Sequence, residues 1–553
     1  SSVEPILHFG LGNSSSIDTI KVRWSDGKVQ TIVNTSANQL LVLDYSNNEG
    51  KQNEIITRND NFNDITSISN INFTHSEDLY DDYISEPLLP YRYSMLGGAL
   101  AVGDVNGDGL EDFYAGNAAG SRSTLYLQNT DATFSELEGP WLNDTNQEDT
   151  GALFYDFDND GDLDLYVASG GSENLNMEDR LYLNTKEGFV KGKSSLPQIA
   201  FSSKTLAVSD FDKDGLMDLF VGGRNVAGKY PFPAESMLLR NLGGSNTNLN
   251  FERIKAPFGK DSNEVGMVTD AVWADLDGDS WEELILTGEW MPITIYKNNK
   301  GILIESTEDY GLNNTKGWWN TLHMTDVDKD GDLDIVAGNL GLNHKYKSTS
   351  DSPFEVYAAD FDENGSNDIV FTYNKKGMQV PLRGRECSVQ QVPAIGVRYK
   401  SFRDFANADI EDIYGQGPLN KALHYRTDTF AHLWFENKGG SFQSHELPVS
   451  AQLSTINSIT SIDYNNDTYP DILVQGNLFN SEAETPRSDG GMGMILLGSP
   501  NGYSEVPPSE SGLFLRSDVK VCKKIKLYNN RIGYLILSNN SDLKLLEFNK
   551  KKI

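Results

Sequence analysis

Seven copies of one aspartate-rich loop, each set between short β-rich runs, recur at about the spacing of a four-stranded sheet. Together they predict an all-β chain: a seven- or eight-bladed β-propeller with calcium-binding β-hairpin loops, plus a small N-terminal β-domain fragment. Length alone, at 553 residues, would suggest roughly three or four domains. A closed repeat overrides that expectation, because many blades make one domain.

The loops read DVNGDGLED from Asp104, DFDNDGDLD from Asp156, DFDKDGLMD from Asp210 and DLDGDSWEE from Asp275. They continue as DVDKDGDLD from Asp326, DFDENGSND from Asp360 and DYNNDTYPD from Asp463. Positions 1, 3, 5 and 9 are always Asp, Asn or Glu, and position 2 is always apolar or aromatic. Oxygens at alternate positions of a tight turn can share one concavity. A glycine at position 6, as at Gly109, Gly161, Gly215, Gly331 and Gly365, lets the backbone bend sharply. The position 7 carbonyl and the position 9 carboxylate would complete the oxygen shell of a hard cation. Without one, the clustered carboxylates would repel each other. Calcium at up to seven sites is therefore expected.

The expected ligands of the first loop are Asp104, Asn106, Asp108 and Asp112, with the carbonyl of Leu110. Those of the second are Asp156, Asp158, Asp160 and Asp164, with the carbonyl of Asp162, and of the third Asp210, Asp212, Asp214 and Asp218, with Leu216. The fourth offers Asp275, Asp277, Asp279 and Glu283 with Trp281, and the fifth Asp326, Asp328, Asp330 and Asp334 with Asp332. The sixth offers Asp360, Asp362, Asn364 and Asp368 with Ser366, and the seventh Asp463, Asn465, Asp467 and Asp471 with Tyr469. The best four begin at Asp104, Asp156, Asp210 and Asp326. Occupancy is open for the other three: the loop at 275 has Ser280 in place of glycine, and the loop at 463 has Thr468 and Pro470.

A helix-flanked EF-hand starts the same way but needs a glutamate at position 12. Here position 12 is Ala115, Val167, Val221, Leu286, Ala337, Phe371 or Val474, always apolar. Runs such as DLYVAS, DLFVGG and DILVQG follow the loops, and GALAVG or TLAVS precede them, so each loop joins a β-hairpin. Second hairpins follow at 123–137, 179–192, 293–307 and 431–447. Loop starts fall 52, 54, 65 and 51 residues apart over the first five copies, the length of a propeller blade.

These loops and their strands, over residues 62–548, resemble the FG-GAP or VCBS repeats of integrin α-chain propellers and of many bacterial surface proteins. The first 46 residues resemble the C-terminal part of an ASPIC/UnbV domain, which accompanies such repeats in secreted proteins of Bacteroidetes-type bacteria. The matching residues are His8-Phe9-Gly10-Leu11-Gly12, Val22-Arg23-Trp24, Gly27-Lys28 and Ala37-Asn38-Gln39. Neither resemblance implies a catalytic mechanism.

The expected domains are 1–46, with strands Ile17–Trp24, Val29–Asn34 and Gln39–Tyr45; a linker, 47–61; and a propeller, 62–548, with an insert at 374–430 that has a helix-like stretch over 401–415. The loops at 326 and 360 are only 34 residues apart and those at 360 and 463 are 103 apart, so the repeat is irregular there. The last piece, 523–548, holds three strands without a loop and is expected to close the ring against a strand near Ile71–Thr74. A strand count near that of eight blades competes with the seven that the integrin resemblance implies.

Charge and motifs narrow the function. With 80 acidic and 46 basic residues, net −34, the chain lacks the basic surface of a nucleic-acid binder. Two cysteines, Cys387 and Cys522, form neither a disulfide framework nor a zinc pattern. No apolar run is long enough to span a bilayer. The chain opens on Ser1-Ser2-Val3-Glu4-Pro5 without a signal peptide and reads as a fragment of an exported protein. The expected function is an extracellular, non-enzymatic calcium-binding scaffold that binds a protein or glycan at the cell surface, as in adhesion. The alternative is a polysaccharide lyase-like enzyme using His424, Tyr425, Arg426 and His432, with Trp318-Trp319 as a sugar platform or blade packing. The recognition surface is expected opposite the calcium loops, on long connections at 169–180, 222–236, 339–353, 374–430 and 476–492. These carry Arg224, Tyr230, Phe232, His344, Tyr346, Arg383 and Arg385. Plugging of the central channel is the competing role for them.

Overall fold

The computed structural model describes residues 7–24, 28–47, 61–171, 177–192, 196–197, 201–244, 249–259 and 263–549. The linker expected at 47–61 lies outside them except at its two ends, as does part of the 169–180 connection. The chain divides into two compact units, Ser1–Arg58 and Asn59–Ile553. In the first, Ser16–Arg23 pairs antiparallel with Val29–Ser36. The third strand expected at Gln39–Tyr45 does not form. The segment pairs with neither open edge of that hairpin, and Leu40 and Val42 stand 72% and 83% exposed, so no apolar burial offsets the cost of ordering a third strand.

Among the described residues, the second unit contains seven four-stranded antiparallel sheets and one five-stranded sheet, in which the short strand Gly317–Trp318 is added to Glu283–Met291. Seven of these eight sheets form the ring. Their first strands are Leu100–Gly103, Asp149–Tyr155, Ser203–Ser209, Met267–Ala274, Thr321–Thr325, Ser458–Ile462 and Val519–Leu527. Each lies beside the next in that order, and the last lies beside the first. The eighth sheet, ordered Met378–Pro381, Asp368–Lys375, Phe354–Ala359 and Leu423–Thr427, is inserted between the second and third strands of blade 5, Asp334–Gly338 and Leu433–Asn437. The insert is therefore larger than 374–430 and includes the loop at 360. That resolves the irregular spacing and the strand count at once: seven blades and one extra sheet. The helix-like stretch breaks into Phe402–Ala406 and Ile410–Tyr414.

The seams between blades are the core. Position 2 of each ring loop enters the next seam: Phe157 is wholly buried with Leu219 and Phe251 of blade 3, and Val327 with Ile472 and Leu496 of blade 6. This is why that position is always apolar.

Closure differs in register from expectation. Phe62–Asp64 is the fourth strand of blade 7, pairing Phe62 with Phe548 and Asp64 with Leu546. Farther along, Thr74 makes a single bridge to Asp542. The blade's outer edge is met at 62–64, while Ile71 and Phe73 turn inward to pack between blades 7 and 1 against Leu100, Phe113 and Leu535. Phe73→Ala opens a cavity in this seam and is expected to cost about 3–5 kcal/mol, seen as a lower thermal midpoint. Phe402→Ala, at a residue 65% exposed, should leave the midpoint in place. Equal midpoints for the two variants would show that the seam does not hold the ring.

Candidate metal centres in the blade loops

All seven loops share one backbone path. Positions 4 and 6 are left-handed throughout, from Gly107 and Gly109 (φ 71° and 86°) to Asn466 and Thr468 (63° and 84°). The side-chain oxygen at position 5 accepts the position 7 N–H in every loop, at 2.7–3.1 Å, an Asx turn. In six loops the position 1 carboxylate accepts the position 6 N–H at 2.8–3.2 Å. In the seventh, Asp463 accepts from Asn466 at 3.0 Å.

Position 9 lies deepest. Asp112, Asp164, Asp218, Glu283, Asp334, Asp368 and Asp471 are 0–2% exposed at the start of the second strand. In six loops one carboxylate oxygen accepts the position 2 N–H at 2.8–3.1 Å. In five blades the other oxygen accepts an N–H at the end of the third strand, from Gln128, Asn184, Asn241, Asn437 or Gly498, at 2.8–3.0 Å. Sequence reasoning missed the next link. The side-chain amides of Asn184, Asn241 and Asn298 donate to the carbonyls of Val105, Phe157 and Phe211, position 2 of the preceding blade's loop, at 2.7–2.9 Å. The signal was present as an asparagine closing the runs LYLN, LLRN and IYKN.

Four loops bring positions 1, 3 and 9 together: Asp156 with Asp158 and Asp164, Asp210 with Asp212 and Asp218, Asp326 with Asp328 and Asp334, and Asp360 with Asp362 and Asp368. In each, one oxygen per residue lies within 4.8 Å of the others. The loop at 275 instead gathers Asp275, Asp277 and Asp279, positions 1, 3 and 5. In the loops at 104 and 463, the amides of Asn106 and Asn465 donate to Asp108 and Asp467 at 3.1 and 2.7 Å, so position 3 adds no third carboxylate. Three carboxylates thus converge in five of the seven loops, and the loops at 104 and 463 carry asparagine at position 3 instead.

These clusters fit a cation. Asp210 Oδ1, Asp212 Oδ1 and Asp218 Oδ2 in one loop are shielded from water with no hydrogen-bond partner, as are Asp326 Oδ1, Asp362 Oδ1 and Glu283 Oε1 elsewhere. Orphaned buried carboxylate oxygens are costly unless a positive charge meets them. Burial first, opposed by the backbone N–H bonds and reinforced by the loop carboxylates, raises Asp112 and Asp218 to about 7, Asp164 to about 8 and Asp334 to about 6. Three loops carry a partial counter-ion: Arg240 reaches Asp212 at 2.5 Å, Lys297 pairs with Asp277, and Lys438 lies 4.0 Å from Asp328.

The other expected sites do not assemble. His432 is fully buried, its Nδ1 accepting from the Asn339 N–H at 2.8 Å and its Nε2 facing the Ser454 carbonyl at 2.8 Å. His424 stacks on Tyr357 in the inserted sheet and meets Glu355 at 3.0 Å. Trp318 and Trp319 are 2% and 0% exposed, so both are packing rather than a platform. Of the residues expected to recognise a partner, Arg224, Tyr230, Tyr346 and Arg383 are buried. Tyr230 and Tyr346 join Tyr91, Trp290, Trp318 and Phe354 in an aromatic layer that caps the ring under the insert. Arg224 pairs with Glu289 at 2.5 Å and Arg383 with Glu482 at 2.9 Å. These connections were expected at a surface, but in this chain they cover one another.

The loop path predicts opposite effects of two substitutions. Thr468 is β-branched at φ 84°, so Thr468→Gly should stabilise by about 1 kcal/mol. Gly215→Ala meets no atom within 4 Å at φ 90°, so its loss, about 1–2 kcal/mol, is purely conformational. Thermal unfolding of both variants checks the sign.

A family model described as ASPIC and UnbV matches residues 1–50. A model of the FG-GAP-like repeat matches 104–167, 156–221 and 275–337, each span running from one loop to the strand after the next. Cartilage acidic protein 1 of Xenopus tropicalis is 27% identical over 217 residues, 37% of this chain and 31% of that protein. The Homo sapiens protein is 27% identical over 213 residues, 37% and 30% of the two chains. The match spans about a third of the length of these relatives. Among solved structures, the V. cholerae biofilm matrix protein Bap1 aligns with TM-score 0.37 and 9% identity over 86% of this chain and 90% of that one. The Dos1 propeller aligns with TM-score 0.36 and 11% identity over 83% and 94%. The chain therefore carries FG-GAP-like repeats, closed here into a seven-bladed propeller, behind an N-terminal ASPIC and UnbV segment.

Proposed function

We propose that the chain is an exported, calcium-loaded scaffold that binds a protein or glycan and performs no catalysis. The observation carrying the calcium reading is the set of carboxylate triples with orphaned, shielded oxygens. All-oxygen donor sets of this kind suit a hard cation, and a flexible loop shell suits calcium better than octahedral magnesium. The positions 1, 3 and 9 named above would hold the ion, with calcium neutralising carboxylates that the fold draws together.

Export follows from affinity. Extracellular calcium modules work at a Kd of about 10⁻⁴–10⁻³ M, and such sites would stand empty at cytosolic calcium. The matched relatives are named for cartilage, which agrees with an extracellular setting. Among the described residues, no helix is long and apolar enough to cross a membrane. The calcium loops join first to second strands, so the connections from second to third strands lie at the opposite face. There the insert presents Val397 and Phe402, 77% and 65% exposed, as the surface open to a partner.

Calcium should raise the thermal midpoint. A site of ~0.1 mM Kd in ~2 mM calcium adds about 1.8 kcal/mol, and magnesium should restore little of it. An unchanged midpoint after chelation would contradict the reading. The effect should also depend on pH. Position 9 carboxyls are raised in the fold to about 6–8, above the unfolded value of about 3.9. Their contribution to stability is thus fully present below the unfolded value and is lost as pH rises through the folded values. The calcium-induced gain in midpoint should therefore be larger at pH 8 than at pH 5.5, and melts with calcium and with chelator at both values measure it.

A further inference from the structure

A cavity of about 70 Å³ lies on the ring axis at the end away from the calcium loops, beneath the aromatic cap. Four charged side chains line it: Lys204, Arg224, Lys520 and Glu289. Three cations against one carboxylate is a notable excess in a chain of net charge −34. Glu289 is already engaged, by Arg224 at 2.5 Å and by the Tyr93 hydroxyl at 2.5 Å. Arg224 also donates to the Met267 carbonyl at 3.1 Å, and Lys520 faces Asp518 at 3.0 Å. Lys204 is left with a 3.3 Å bond to the Thr150 carbonyl.

A second donor is unused. Trp318 lines the same cavity, is 2% exposed, and its Nε1–H has no partner. Burial and then the charges of Arg224 and Lys520 push Lys204 down to about 8, so the three cations feel one another; Glu148 and Asp270 offset this only in part. The half-buried Lys204 ammonium and the buried, unpartnered Trp318 indole N–H, both on residues that line the cavity, are satisfied by water or by an anion. Water supplies acceptors but no charge, whereas an anion supplies both. The volume is several times the roughly 10–15 Å³ that one water needs by this measure, enough for a small oxyanion.

We propose that this cavity is a binding site for one small oxyanion of the sulfate, phosphate or carboxylate class, held by Lys204 and the Trp318 N–H with Lys520 opposite. Bound there, it ties the first strands of blades 3 and 7 to the cap, an anion pin on the face opposite the calcium sites. The proposal does not depend on those sites being filled.

Calorimetric titration of the full chain with sulfate at constant ionic strength, repeated with labelled sulfate in equilibrium dialysis, tests it. One saturable site is expected, with affinity at least tenfold weaker in Lys204→Gln and several-fold weaker in Trp318→Phe, which removes the N–H and keeps the ring. Should Lys204→Gln fail to fold, Trp318→Phe and the dialysis of the unaltered chain decide the matter. Absence of saturable binding by sulfate, phosphate and acetate would overturn the proposal. So would unaltered binding in folded Lys204→Gln and Trp318→Phe.

Discussion

A carboxylate buried at the first residue of the second strand, in six of the seven blades and in the inserted sheet, is the interaction on which the ring depends. Its oxygens accept backbone N–H groups: that of loop position 2 in six of the seven loops and, in five blades, one at the end of the third strand beside it. An amide side chain in its place would set an NH2 donor where the carboxylate has its second accepting oxygen. Burying the charge carries a desolvation cost, visible as carboxyls raised well above their ordinary range. The cost is met locally by backbone dipoles and, in the proposed function, by a cation shared with positions 1 and 3. The apparent metal loop is thus also the device that sets the geometry of the blade.

The same device joins blades to one another. Asparagine at the end of the third strand gives its backbone N–H to its own blade's carboxylate and its side-chain amide to the previous blade's loop. Position 2 of that loop, whose carbonyl is the acceptor, drives its apolar side chain into the same seam. Loop, seam and neighbouring blade therefore form one cooperative unit, so a cation bound at the rim would act on packing deep between blades. At the opposite end the cap is built differently, from stacked aromatics and buried ion pairs contributed by the insert and the connections.

Much of this was legible in the sequence, because the repeat imposes the same physical demand seven times. The alternation of acidic positions, the glycine at position 6 and the apolar position 2 each correspond to a distinct job in the loop. Less legible was whatever depends on partners distant in sequence. The insert was misjudged because Asp360 opens a loop of ordinary pattern on a sheet outside the ring, and pattern alone does not say which sheet a hairpin joins. Arg224, Tyr230 and Arg383 were expected at a surface because they occupy long connections. The structure buries them because those connections converge and cover one another. Asn106 and Asn465 satisfied the ligand pattern as oxygen donors, yet their amide nitrogens turn to the neighbouring aspartates.

If the buried carboxylate, rather than the loop as a whole, organises the blade, removing it must matter even without metal. The direct measurement is the thermal unfolding of Asp218→Ala beside Asp214→Ala, both in chelator. Asp218 accepts the Asn241 N–H from across the blade, whereas Asp214 accepts the Leu216 N–H within its own turn. The account predicts that Asp218→Ala lowers the midpoint by the equivalent of about 1–3 kcal/mol, the cost of a stranded buried donor, while Asp214→Ala leaves it nearly unchanged. Equal midpoints for the two variants would contradict it.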